Sequence, residues 1–404
     1  MAASFFGTAA RIPPDAIFAL TAAYLGDESS NKVNLGQGAY RDEHGKPWVL
    51  PTVAKARQEM EKEGVLHEYL PISGLKEFRD ATAKLVVGSE AYGGKAEKLV
   101  TCQSISGTGS LHAIAQLIAR CHPQKPKVLI PEPTWSNHFQ VFGSLGFVCQ
   151  GFRYYDSESK TLDMQSYIQA LKSAEEGSVL ILHTCAHNPT GCDPSEEDWH
   201  HLAQIIRDKR LFPIFDSAYL GFNSGSIDKD AFAIRYFINE LNLEAAVCIS
   251  YAKNMGLYGE RVGCLVVHTS SAEVAANTAS NLEQLQRSEI SNPPAYGAKI
   301  ASTILNSPEL RKSWDQDLVT MSSRIKEMRQ ALYDNLIKQD APGTWDHVTR
   351  QSGMFGFLGL SPSVVQELKE KHHIYMSENS RISVAGLNDS NVAYVAEAIA
   401  KCLQ

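Results

Sequence analysis

The chain has 404 residues, 44% of them hydrophobic and 21% charged, with a formal net charge of −7. That length exceeds one ordinary core and points to two or three globular domains, not a disordered chain. The acidic balance excludes nucleic acid as the main partner but allows small anions at a local positive site, and no apolar run approaches the roughly 20 residues of a membrane span. Met1 to Arg11 carries neither a signal-peptide apolar core nor an arginine-rich transit pattern. The ending Ala400-Lys401-Cys402-Leu403-Gln404 is no peroxisomal address and no prenylation box. The eight cysteines are scattered, several inside apolar runs such as Ala246-Val247-Cys248-Ile249, which fits free thiols in a reducing compartment. A cytoplasmic enzyme is the expectation.

In chain order, residues 1–12 form a weakly patterned arm suited to packing on another subunit, and Val33 to Tyr40 reads as a strand ending in a glycine turn. Short apolar runs then alternate with helical patterns. Lys98 to Cys102, Lys127 to Ile130, Val179 to Leu182, Phe212 to Phe215, Val247 to Ile249 and Cys264 to Val267 read as buried strands. Leu111 to Arg120, Met164 to Ser173 and Ser195 to Lys209 read as helices, the last announced by the start signal Asp193-Pro194-Ser195-Glu196-Glu197. This alternation implies an α/β fold with a mostly parallel sheet, whose ligands bind beyond the carboxyl ends of the strands. Leu318 to Gln339 reads as a long amphipathic helix, and Gly353 to Phe357 and Ile382 to Val384 as short strands of a smaller α+β unit. The expected organisation is an arm and part of the small domain at 1–45, a large domain at 46–318, and the rest of the small domain at 319–404.

Chemistry concentrates just after the strands. Ser106-Gly107-Thr108-Gly109 between a strand and a helix would turn backbone N–H groups toward an anion. It lacks the third glycine of a dinucleotide fingerprint and the lysine of a Walker loop, so a single phosphate fits best. Asn188, in Asn188-Pro189-Thr190-Gly191, offers an amide donor. His183, Cys185, His187 and Cys192 match no familiar zinc spacing, and no metal is expected. Asp216 ends an apolar strand and needs a positive partner, such as a protonated heteroaromatic nitrogen; Tyr219 can reach the same ligand. Lys253 follows a buried run, where lost hydration favours a neutral amine able to form a Schiff base. Ser250 and Arg261 flank it with a hydroxyl and a fixed charge for the phosphate, and Trp135 can stack on a ring. Together these are the requirements for holding pyridoxal 5'-phosphate.

The same residues carry a resemblance. The ordered set Asn34 to Arg41, His67-Glu68-Tyr69-Leu70-Pro71, Ser106 to Gly109, Asn188 to Gly191, Asp216-Ser217-Ala218-Tyr219, Ser250 to Gly263 and Arg381 to Leu387 resembles the class I, fold-type I aminotransferases, nearly end to end. Within them it is most similar to the aspartate aminotransferases of the eukaryotic cytosolic kind. The resemblance implies a large domain with a mostly parallel seven-stranded sheet flanked by helices, and a smaller α+β domain built from both chain ends. It implies that Arg381 binds the substrate α-carboxylate, that Gly38 meets substrate through its backbone, and that His138 stands behind Asp216. It also implies a homodimer in which Tyr69 reaches the partner's phosphate and Arg287 the partner's substrate side chain. The chain departs from the family at Ser110-Leu111-His112, where Ala-Leu-Arg is usual, at Tyr251 for phenylalanine, and at Gln37 for an apolar residue that bears on domain closure.

Transamination between L-aspartate and 2-oxoglutarate follows, in two half-reactions, with Lys253 as proton shuttle and two arginine forks selecting dicarboxylate amino acids and oxo acids. The alternatives are an aromatic or broad-specificity aminotransferase on the same scaffold, and a binding protein that has lost catalysis. The intact set of Lys253, Asp216 and Arg381 speaks against the latter.

Overall fold

A computed structural model describes residues 4–404, so Met1 to Ala3 of the expected arm lie outside the described residues. The centre is one seven-stranded sheet: β1 (Leu99–Ile105), β2 (Val128–Glu132), β3 (Cys149–Arg153), β4 (Val179–His183), β5 (Phe212–Ser217), β6 (Ala245–Ser250) and β7 (Val262–His268). Across the sheet they lie in the order β1-β7-β6-β5-β4-β2-β3. Neighbours β3, β2, β4, β5 and β6 pair parallel, while β7 runs antiparallel to both β6 and β1. The mostly parallel seven-stranded sheet is therefore as expected. β4, β6 and β7 are buried at every residue, because helices cover both faces and leave no polar side to alternate with.

The helices begin where the sequence places caps. α1 (Ala16–Gly26) is capped by Asp15, whose carboxylate accepts from Ile17 N and Phe18 N. α2 (Ser106–Cys121) starts five residues before the apolar periodicity does, so the serine and glycines of the expected loop form its first turn. The helix at Glu196–Asp208 is capped by Ser195 in a reciprocal box with Asp198. Asp193 does other work: it accepts from Ala186 N and His187 N at 2.7 and 2.8 Å. α3 (Ala272–Glu289) packs beside β1 and α2.

α4 (Pro308–Lys338) is 31 residues long and begins ten residues before the expected Leu318. Ser307 accepts from Leu310 N, and Pro308 occupies the first turn. The early turns pack under the lysine loop, where Trp314 Nε1 donates to the Asn254 carbonyl at 2.6 Å. At the chain ends, Val33–Asn34 pairs parallel with Ile374–Tyr375, and Phe355–Phe357 antiparallel with Arg381–Ser383. The N-terminal segment thus joins the C-terminal third. No helix among the described residues is long and apolar enough to cross a membrane.

Candidate active site

The cleft lies beyond the carboxyl ends of the parallel strands and encloses about 540 Å³. Lys253 enters it from the turn after β6. Its neighbours are pinned: Tyr251 Oη pairs with Thr82 Oγ1 at 2.8 Å, and the Asn254 carbonyl takes the Trp314 bond. The Lys253 Nζ lies 5.0 Å from the centre of the Tyr258 ring. Burial pushes its amine down to about 8; the nearby Arg261 charge adds to this and Asp216 opposes it.

Asp216, in β5, faces that amine. Burial pushes its carboxyl up, but the His138 hydrogen bond and the positive Lys253 nearby outweigh burial and hold it below the ordinary range. His138 Nε2 lies 3.0 Å from Asp216 Oδ2, and behind it runs a chain of hydrogen bonds with one direction. The Asn188 N–H donates to His183 Nδ1 at 3.1 Å. Burial pushes His183 well below the usual imidazole range, so its ring is neutral and carries its proton on Nε2. That Nε2 donates to Thr134 Oγ1 at 3.2 Å, and the Thr134 hydroxyl donates to His138 Nδ1 at 2.9 Å. His138 is left with Nε2–H aimed at Asp216, and the carboxylate stays an acceptor. His138, His183 and Asp216 also form a trio within metal-ligand reach of one another. Their ring nitrogens are already committed to this chain.

The first turn of α2 forms a cradle. No side chain caps it, so its leading N–H groups are available to an anion. Ser106 Oγ pairs with Ser250 Oγ at 2.8 Å, Ala252 N donates to Ser250 Oγ at 3.2 Å, and Arg261 closes the other side of the cleft. Gly263 makes the closeness possible: a Cβ there would sit 2.5 Å from the Ser106 backbone.

At the opposite end, Arg381 is 6% exposed and makes no salt bridge among the described residues, with Asp15 lining the same cleft. Its Nη2 donates to the Gly36 carbonyl at 2.8 Å, its guanidinium lies 4.5 Å over the Phe355 ring, and its buried Nε has no hydrogen-bond partner. Burial pushes its pKa down, opposed by Tyr219 and Asp15. A buried guanidinium in this state is poised for an anion. Gly38 lines the same cleft, and a Cβ on it would meet the Phe355 ring at 2.9 Å. Gln37 turns to the other side of this loop, where its Oε1 accepts from Arg41 Nη2 at 2.8 Å.

Pyridoxal phosphate fits this arrangement on three counts. A neutral-leaning lysine amine, an ionised Asp216 and an uncapped helix start beside Arg261 all face one cleft. Trp135, Asn188, Tyr219, Ser250 and Thr108 line it as well. Tyr69 and Arg287 do not: Tyr69 is 89% exposed, and Arg287 bonds to Ser291 on an exposed helix end. Sequence reasoning missed Thr134 and Phe355 and read His183 only as a metal candidate. The signal for His183 was its place at the end of β4, opposite Asp216 in register.

The model of the family "Aminotransferase class I and II" matches residues 30–399. The chain is 44% identical to the cytoplasmic aspartate aminotransferase of Saccharomyces cerevisiae, across 99% of this chain and 97% of that one. The solved structure of that yeast enzyme superposes with a TM-score of 0.96 at 43% identity, covering 100% of this chain and 99% of the other. The mitochondrial aspartate aminotransferase of Xenopus tropicalis is 45% identical over 96% of this chain and 90% of its own. The aromatic-amino-acid aminotransferase of Burkholderia pseudomallei, covalently bound to pyridoxal phosphate, also superposes at 0.96, with 37% identity over 99% of this chain and 100% of its own. With a family model matching over most of its length and relatives 44–45% identical along nearly the whole chain, the chain belongs to the class I and II aminotransferases.

Proposed function

We propose that this chain transfers an amino group between L-aspartate and 2-oxoglutarate, giving oxaloacetate and L-glutamate, with pyridoxal 5'-phosphate as cofactor. The observation that carries the reading is the uncompensated, buried Arg381 facing the same cleft as Lys253 and Asp216. The aspartate aminotransferases of yeast and frog support it over the aromatic alternative. Bound pyridoxal phosphate supplies a carbonyl for the substrate amine and a ring that takes up the electrons left by the α-proton. Lys253 would anchor the cofactor and is the group placed to take and return the proton, because its lowered pKa makes the neutral amine accessible near neutral pH. Asp216 stays ionised and matches a protonated ring nitrogen, with His138 fixing its orientation. The first turn of α2, Ser250 and Arg261 hold the phosphate; Asn188 and Tyr219 orient the ring oxygen; Trp135 stacks. Arg381 holds the α-carboxylate, beside the Gly38 backbone.

The second carboxylate and part of the phosphate need Arg287 and Tyr69, which we assign to the neighbouring copy in a homodimer with shared sites. Phe5, Phe6, Ile12, Leu66 and Tyr69 support this, being exposed apolar groups at 70–93% accessibility. We also read residues 1–45 and 319–404 as one small domain moving against 46–318, and the cytoplasm as the compartment, in line with the yeast relative's name.

A substrate panel with the absorbance spectrum in parallel tests the reading. Aspartate should outpace phenylalanine, and Lys253→Ala should abolish turnover and the near-visible absorbance. A colourless wild type after reconstitution with cofactor would overturn the cofactor assignment. Equal rates with aspartate and phenylalanine would favour the broad-specificity alternative.

A further inference from the structure

The residue where the chain departs from the family at the phosphate helix has a partner. His112, in the second turn of α2, places Nδ1 2.6 Å from Glu289 Oε1, with side chains 29% and 36% exposed. Glu289 is an acid in the last turn of α3, where it opposes the helix dipole, and the contact with His112 gives its carboxylate a partner there. His112 lies one turn beyond Thr108, and Thr108, His112, Arg261 and Glu289 border one hollow of about 430 Å³ beside the phosphate cradle.

The other end of the pair matters more. Glu289 is two residues from Arg287, in the last turn of α3. That turn and the segment just after it are tied to the loop of Tyr69 by two further bonds: Gln286 Nε2 donates to the Ile72 carbonyl, and Asn292 Nδ2 to the Leu70 carbonyl at 3.0 Å. Tyr69 and Arg287 therefore ride on one hydrogen-bonded patch, and His112–Glu289 braces that patch against the helix that cradles the chain's own phosphate.

We propose that the His112–Glu289 pair is a strut that positions Arg287 for the partner's substrate and so links the phosphate helix of one site to the carboxylate arginine of the other. His112 and Glu289 are positioning residues, acting through Arg287. The inference rests on the two-chain dicarboxylate reading above.

The test uses the purified holoenzyme and the variants Glu289→Ala, His112→Ala and the double. Because a partly exposed ion pair is weak, each single change should raise the KM for aspartate and 2-oxoglutarate about two- to fivefold, with kcat within about twofold. The KM for phenylalanine and the near-visible spectrum should not move, which also shows that the variants are folded and loaded. The double variant should be no worse than either single one. An unchanged aspartate KM, an equal loss with phenylalanine, or additive effects in the double variant would overturn the strut. A wild type with no preference for aspartate over phenylalanine would instead remove the underlying reading, and the strut with it.

Discussion

At the scale of single residues, Lys253 shows how burial sets chemistry. Its amine is pushed down to about 8 chiefly by lost hydration, with Arg261 adding and Asp216 opposing. Raising the pH through 8 therefore neutralises it, and at pH 7.5 roughly a quarter is already neutral, against about a thousandth for an ordinary lysine. In protein stripped of cofactor, the rate at which this lysine reacts with an amine-selective reagent should rise around pH 8, well before the surface lysines near 10.5. A midpoint near 10.5 for Lys253 would contradict its burial as the controlling effect. Lys253, Asp216 and Asn188 were legible because each follows an apolar run with a residue that a core or a plain turn has no use for; Arg261 was read from its place beside the lysine, and Arg381 only from the family resemblance. Thr134 and Phe355 were not, since a threonine in a turn and a phenylalanine in a strand are ordinary there. Only the folded geometry puts Thr134 between two histidines and Phe355 beneath a guanidinium.

At the scale of elements, six of the seven sheet strands were read from three- to five-residue apolar runs and differ from the observed ones mainly at their ends; β3, an edge strand with only Phe152 buried, has no such run and was not read. Two helix starts were read late. In α2 the first turn is serine and glycine, which carry no apolar period, and in α4 the early turns are ordered by Trp314 and Asp317 packing on distant segments. Thr52 N, for example, donates to Asp317 Oδ2 at 3.1 Å. α4 also carries Arg329, which is 3% exposed and donates to the carbonyls of Val348, Ser352, Gly353 and Phe355. Burial pushes its pKa down to about 10, opposed by Cys192 and Asp193, so it remains charged at neutral pH. One side chain thus fixes the segment leading to the Phe355 strand. Arg329→Met should cost about 3 kcal/mol or more, because several buried carbonyls lose their donor. It should also weaken carboxylate binding by loosening Phe355 under Arg381. A urea denaturation midpoint unchanged from wild type would show that the segment holds itself.

At the scale of the molecule, several histidines are buried in the neutral form. Burial pushes His183 and His187 well below the imidazole range and His347 down to about 4. As pH falls from about 6.5 toward 4, the unfolded chain takes up protons that the native chain refuses, so stability declines in that window. The melting temperature should drop between pH 7.5 and 5.5, and His347→Gln should show a smaller drop than wild type. An equal drop in the two would place the acid sensitivity elsewhere. The proposed division of the chain into a central sheet unit and a unit made from both ends was read from the change of pattern after residue 318. The helix that crosses that position was not, because its periodicity strengthens only where it leaves the large core.

The reversed strand β7 carries a consequence for regulation. Because it runs against its neighbours, its beginning lies at the same edge as the end of β6, and seven residues suffice to connect Lys253 with Arg261. A parallel strand would have needed a crossover helix between them. The amine and the charge that tunes it are thus welded into one short hairpin of the large sheet. Arg381 and Gly38 belong to segments built from the chain ends. If those segments move as the proposed small domain would, substrate grip and the hydration of Lys253 change together, while the spacing of Lys253 and Arg261 stays fixed by the hairpin.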